Sequence, residues 1–203
     1  MDNERNLRIY RLWSPVYDVL LQRLFSSGRK RAITLLDLKP GETLLIPGIG
    51  TGQDLPLLPP DIKIIGGDLS QAMLAKARQK IGNRNVDFCT MDAQKLDFPD
   101  ASFDAILLNL ILSVVPDGKA TLRESWRVLC PGGRIVIFDK FLPEGDTVTS
   151  LRRLVGGIMS TMGTDPNRRL SDLLDGLANL VMTCNEPSLF GGQYRVIRLD
   201  KTQ

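Results

Sequence analysis

Hydrophobic and polar positions along this chain change period partway through, and the change sets the elements it predicts. Over residues 7–25, Ile9, Leu12, Trp13, Val16, Tyr17, Leu20 and Leu24 recur at spacings of three and four, the apolar face of a helix kinked at Pro15. Gly28 precedes a second helical run over 29–36, which stops before Lys39, Pro40 and Gly41. Short apolar runs closed by a small or polar residue then take over: 44–46 before Gly48, 62–65 before Asp68, 86–91 before Asp92, 103–108 before Asn109, and 134–138 before Asp139. Helices are predicted between them, one capped by Ser70 and carrying Ala72, Met73, Ala75, Ala77 and Ile81, the other over 117–129 ahead of a Pro131-Gly132-Gly133 turn. This alternation predicts an α/β fold, a doubly wound parallel sheet with helices on both faces. Farther on, helices are expected over 148–162 and 170–177. Strands 180–185 and 194–199 are joined by a connection too short for a crossover, which makes that last pair antiparallel.

Composition narrows the chemistry more than the fold. At 203 residues, 43% hydrophobic and 24% charged, the chain reads as one globular domain over 1–203, with 1–27 an amphipathic lid or anchor. The formal net charge is +3, but residues 1–31 carry Arg5, Arg8, Arg11, Arg23, Arg29, Lys30 and Arg31 against Asp2, Glu4 and Asp18, so that segment alone is +4. Such a start suits either an anionic surface or a solvated helix face. The chain has no histidine, which removes a histidine general base, a Ser-His-Asp triad and the usual histidine metal ligands. Cys89, Cys130 and Cys184 are widely spaced and suggest neither a zinc site nor a disulfide framework. No run is long and apolar enough to span a bilayer, so a cytoplasmic protein with at most peripheral membrane contact is expected. Neither a metal nor nucleic acid is an expected partner, since the basic residues form no extended groove signature.

One stretch organises the rest. The run 44–47 breaks into Gly48-Ile49-Gly50-Thr51-Gly52, a strand feeding a loop whose backbone a ligand could approach closely. The spacing is neither the dinucleotide form nor a P-loop, and taken alone it is either a ligand loop or plain punctuation. In a doubly wound sheet, ligands bind beyond the carboxyl ends of the central strands, and there this chain sets the glycine loop, Asp68, Asp92 and Asn109 in order. An acid one strand after such a loop can accept both hydroxyls of a ribose, and Asp92 can accept an adenine amino proton.

Through Gly48–Gly52, Gly67-Asp68-Leu69-Ser70, Met91-Asp92-Ala93 and Leu129-Cys130-Pro131-Gly132-Gly133, the sequence resembles the class I S-adenosylmethionine-dependent methyltransferases over about residues 40–140. The resemblance implies a Rossmann-like, seven-stranded, mostly parallel sheet with an antiparallel last strand, and S-adenosylmethionine as cofactor. It assigns the methionine part to Gly48, Gly50, Thr51 and Gly52, the ribose to Asp68 and the adenine amine to Asp92. Leu69, Met73, Ala93, Asn109, Leu110 and Tyr17 complete the expected cofactor surroundings. The family usually carries an acid two residues before the first glycine. This chain has Ile46 there, and Asp54 is a candidate substitute for holding the ammonium of the methionine part.

The flanks, Tyr10 to Asp18 and Leu112 to Asp117, are similar to bacterial phospholipid N-methyltransferases acting on phosphatidylethanolamine, and the first of them also to quinone C-methyltransferases. The lipid resemblance implies a phospholipid substrate at an anionic membrane surface. Tyr17 is then the candidate catalytic residue, walling the transfer pocket. Tyr10, Trp13 and Ser113 are candidates for the acceptor, and Arg152, Arg153, Arg168 and Arg169 for its phosphate. The proton lost by an amine would go to Tyr17, Tyr10, a carboxylate or water. A quinone precursor or soluble small molecule as acceptor, or a scaffold that binds cofactor without turnover, are the alternatives.

Overall fold

The computed structural model describes residues 24–142 and 168–203. Seven strands form one sheet: β1 Thr43–Pro47, β2 Lys63–Asp68, β3 Asn85–Thr90, β4 Phe103–Asn109, β5 Leu129–Lys140, β6 Leu180–Leu189 and β7 Tyr194–Lys201. Their spatial order is β3-β2-β1-β4-β5-β7-β6. Strands β1 to β5 are mutually parallel, and β7 runs antiparallel to both β5 and β6, as the short connection before it requires. The order reverses at β1, whose neighbours are β2 and β4, and that reversal opens the crevice above its carboxyl end.

The apolar runs are continuous because the central strands are covered twice, and successive side chains serve opposite faces. Leu45, Ile106, Leu108, Ile135 and Ile137 pack with Leu122 and Trp126 of α3 (Gly118–Val128) and with Leu170 and Leu173 of α4 (Leu170–Leu174). Leu44, Ile46, Ile64, Leu107, Val136 and Phe138 pack with Phe25, Ala32 and Leu36 of α1 (residues 24–36) and with Leu74 of α2 (Gln71–Arg78). Both longer caps are sequence-local: Ser70 Oγ accepts the Met73 N–H, and Asp117 Oδ1 accepts the Ala120 N–H at 2.9 Å.

Three readings are corrected. Gly28 does not separate two helices: α1 runs through it, and the missing side chain admits the ring of Phe138. Pro131-Gly132-Gly133 lies inside β5, where register passes from Phe103↔Leu129 directly to Ala105↔Arg134, so four residues bulge opposite Asp104. Gly133 is needed there, since a Cβ would stand 2.8 Å from the Asp104 carbonyl oxygen. Helix α4 ends at Leu174, short of the expected 177, with Gly176 following at positive φ. Residues 7–23 of the helix expected over 7–25, and the whole of that expected over 148–162, lie outside the described residues.

Candidate functional site

The glycine loop leaves β1 at the sheet's switch point, and its three glycines do different work. All have positive φ, +69° at Gly48, +56° at Gly50 and +72° at Gly52. A Cβ at Gly48 would strike the Ile111 side chain at 2.2 Å, and one at Gly52 would lie 2.9 Å from the Ala77 Cα, in the backbone of α2. These two glycines let the loop seat against its own protein. A Cβ at Gly50 meets nothing within 4 Å, so the loop is bare toward open space at that residue alone of the three. Lys80 fixes the loop's far side, its Nζ donating to the Thr51 carbonyl at 2.7 Å.

Asp68 ends β2 beside that bare backbone. Its Oδ2 accepts the Gly50 N–H at 3.0 Å and its Oδ1 the Ser70 N–H at 2.8 Å, one backbone donor per oxygen. A carboxylate has about four acceptor positions, so each oxygen keeps one for a further donor such as a vicinal diol. Burial pushes its carboxyl above the ordinary carboxylate range, against the pull of the two N–H groups. Beyond β3, Asp92 Oδ1 accepts both the backbone and the side-chain N–H of Gln94, at 2.9 and 3.0 Å, and Ala93 beside it is buried. Leu69 and Met73 stand half-buried where β2 passes into α2.

The other side of the crevice holds a chain of polar groups built from three elements. Arg29 of α1 donates to Asp54 Oδ2 at 2.7 Å, and Asn109 at the end of β4 donates Nδ2–H to Asp54 Oδ1 at 2.9 Å. Asp54 is 2% exposed and Asn109 7%. Both oxygens of the candidate ammonium holder are therefore engaged within the protein. Ile46, in the position where the family's acid stands, is packed into the apolar layer against α1 and α2. Asn109 Oδ1 is buried without a hydrogen-bond partner, an uncompensated acceptor at the rim. The next residue, Leu110, holds φ at +59° and donates its N–H to the Phe138 carbonyl at 2.7 Å, so the chain leaves β4 through a backbone conformation rare for a branched side chain.

On the opposite face of the sheet, Ser113 is held by Asp139, whose Oδ2 accepts its N–H at 3.1 Å and whose Oδ1 accepts the Lys140 N–H at 2.8 Å. Asp139 is wholly buried, and that burial raises its carboxyl above the ordinary range. Sequence reasoning missed Arg29 and Asp139 as members of the rim. Asp139 closed an apolar strand just as Asp68 did, and that signal was available; Arg29 sat in a basic run that reads as solvated surface.

The structure brings Gly48, Gly50, Thr51, Gly52, Asp54, Asp68, Asp92, Asn109 and Leu110 to one rim. Arg168 donates to the carbonyls of Leu112, Val115 and Pro116, so its guanidinium braces the loop after β4. Arg169 precedes α4 as its N-cap residue. Tyr10, Trp13, Tyr17, Arg152 and Arg153 lie outside the described residues.

Three observations match the chemistry of S-adenosylmethionine: open space over Gly50, acceptor capacity at Asp68 for a diol, and an unmet acceptor at Asn109. Comparison with known proteins points the same way. A family model described as a methyltransferase domain matches residues 45–137. A phosphatidylethanolamine N-methyltransferase of Cereibacter sphaeroides is 31% identical over 160 residues, 77% of this chain and 78% of that protein. A demethylmenaquinone methyltransferase of Thermus thermophilus is 38% identical over 137 residues, 62% of this chain and 61% of its own length. Among solved structures, a geranyl diphosphate methyltransferase in complex with S-adenosylmethionine superposes with a TM-score of 0.71 at 18% identity, covering 99% of this chain and 92% of that one.

Proposed function

We propose that this chain, which belongs to the class I S-adenosylmethionine-dependent methyltransferases, methylates the amine of phosphatidylethanolamine and of its partly methylated products, towards phosphatidylcholine. The observation that carries the choice of acceptor is the likeness to the Cereibacter sphaeroides phosphatidylethanolamine N-methyltransferase, which extends over 78% of that protein, against 61% of the demethylmenaquinone enzyme.

A second feature supports a lipid acceptor. Tyr194 begins β7 opposite Lys140, at the carboxyl end of β5 and hence at the rim. Around it stand Phe25 at 5.1 Å, Phe138 at 5.9 Å and Phe190 at 5.7 Å between ring centroids. Phe190 is 57% exposed in a left-handed backbone conformation, and Leu24 at the start of α1 is 38% exposed. An exposed aromatic ring such as Phe190, backed by Tyr194 and the buried Phe25 and Phe138, suits the boundary between headgroups and acyl chains. No described helix is long and apolar enough to cross a membrane; the contact we propose is peripheral, at the cytoplasmic face.

The cofactor supplies a methyl group already activated on a sulfonium, which leaves the protein mainly the task of alignment. Asp68 at the end of β2 would hold the ribose, and the glycine loop after β1 would carry the methionine part. Asp54 and Asn109 fix the far end of the loop against β4. Asp139 holds the backbone of Ser113, and Arg168 holds the carbonyls that follow it, so the segment after β4 is rigid on the side where an acceptor would enter.

A quinone acceptor is the second reading, favoured by the higher identity to the demethylmenaquinone enzyme over its shorter match. Radiolabelled methyl transfer separates the two. With the labelled cofactor, label should enter phosphatidylethanolamine in mixed vesicles and appear in mono-, di- and trimethylated products. Label in a demethylmenaquinol and none in phospholipid would reverse the assignment.

A further inference from the structure

We infer that Asn109 Oδ1 is the acceptor for the α-ammonium of the cofactor's methionyl end, standing in this chain where the family uses a carboxylate on the first strand. Among the described residues it is the one buried side-chain oxygen or nitrogen left with no hydrogen-bond partner. The amide's orientation is fixed by its neighbour. Nδ2 faces Asp54 Oδ1 at 2.9 Å, and turning the amide over would set an oxygen against a carboxylate oxygen, so the carbonyl must face away from Asp54. Asp54 cannot swing aside to take a ligand's charge without abandoning Arg29, which holds its other oxygen at 2.7 Å. Ile46 offers no oxygen from its side chain and is itself buried.

The ligand's chemistry makes the choice specific. Asp68 and Asp92 occupy the β2 and β3 side of the crevice, where the ribose and adenine donors belong, so the end of β4 faces the methionyl end. That end carries one carboxylate, which only accepts, and one ammonium, which only donates. An amide oxygen can pair only with the ammonium. Its partner is thereby a neutral dipole, and the nearby carboxylate is already matched by Arg29 and acts through the amide as a positioning group.

Calorimetry on the full chain tests this without turnover, using S-adenosylhomocysteine and its counterpart lacking the α-amino group. The wild-type protein should bind the amine-bearing ligand at least about tenfold more tightly, as a charge-assisted hydrogen bond implies. Asn109→Leu, which keeps the volume and removes the oxygen, should bring that ratio down to roughly unity. Should the leucine variant fail to fold, Asn109→Ser keeps a donor for Asp54 while stopping short of the ligand, and the same ratio is read there. No preference in the wild-type protein, or a preference that persists in a folded variant, overturns the assignment.

Discussion

Gly28 lies face-on against the ring of Phe138: a Cβ built at position 28 would stand 2.3, 2.4 and 2.8 Å from three of its ring carbons. Phe138 is fully buried, with Phe25 edge-on at 6.0 Å and Tyr194 at 5.9 Å, so the ring has nowhere to retreat. Two effects oppose each other at this position. Alanine improves helix propensity by about 1 kcal/mol. Forcing a methyl into a packed core costs about 1–3 kcal/mol, and here the overlap is deep, so the steric cost prevails. Gly28→Ala should lower the denaturation free energy by about 1–2 kcal/mol. A denaturant titration showing a more stable protein would mean that α1 can move off β5.

Gly50→Ala and Gly52→Ala should separate binding from folding. Both need a left-handed backbone, and alanine there costs about 1 kcal/mol. At Gly52 the new methyl also meets the backbone of α2, so the melting temperature should fall well beyond that of Gly50→Ala. At Gly50 the methyl projects into the space assigned to the cofactor, so calorimetry should show at least about a tenfold loss of S-adenosylhomocysteine affinity in a protein of nearly normal melting temperature.

Arg134 should be one of the costlier residues to remove outside the rim. It is 7% exposed, its Nη1 and Nη2 reach the two oxygens of Glu42 at 2.6 and 2.5 Å, and its Nε and Nη2 donate to the carbonyls of Leu36 and Asp37 at 2.5 and 3.1 Å. Arg134→Met leaves Glu42 without its bidentate cation and the Leu36 and Asp37 carbonyls at the end of α1 without their donor, a loss of about 3 kcal/mol or more by chemical denaturation. Lysine should rescue little, because a single ammonium cannot reproduce the fork. The paired Glu42 carboxyl titrates below its ordinary value, chiefly through the Arg134 hydrogen bond, so its stabilisation is complete above the ordinary value of 4.5 and is lost as pH falls through the depressed one.

Asp139 should have the opposite pH signature. Burial raises its carboxyl, so folding favours the protonated form. Its contribution is fully present below the ordinary 3.8 and is lost as pH rises through the raised value. The stability of the wild-type protein minus that of Asp139→Asn should therefore fall from about pH 4 towards neutrality. A flat difference, or one that rises with pH, would show that the Ser113 and Lys140 donors outweigh desolvation.

The seven strands and the antiparallel final pair were legible because each is a local pattern: an apolar run, a polar stop, and a connection of a given length. The glycine loop, Asp68 and Asp92 were legible for the same reason, as chemistry placed at strand ends. What escaped depends on partners distant in the chain. The Arg29–Asp54 and Asn109–Asp54 contacts span 25 and 55 positions, and no periodicity announces them. Gly28 read as a helix break because propensity knows nothing of Phe138. Pro131-Gly132-Gly133 read as a turn because its local chemistry is that of a turn; only pairing with β4 on both sides makes it a bulge within one strand.

The strand order has a consequence for how the chain is made. β7 is interior to the sheet, between β5 and the edge strand β6, although β6 precedes it in sequence. β6 has no native seat against β5, so the native pairing of that edge of β5 waits for the residues of Tyr194–Lys201. The five parallel strands can assemble earlier, but with the buried backbone of Ile135 to Phe138 unpaired on one side, and closing that edge falls to the last strand of the sheet to be synthesised.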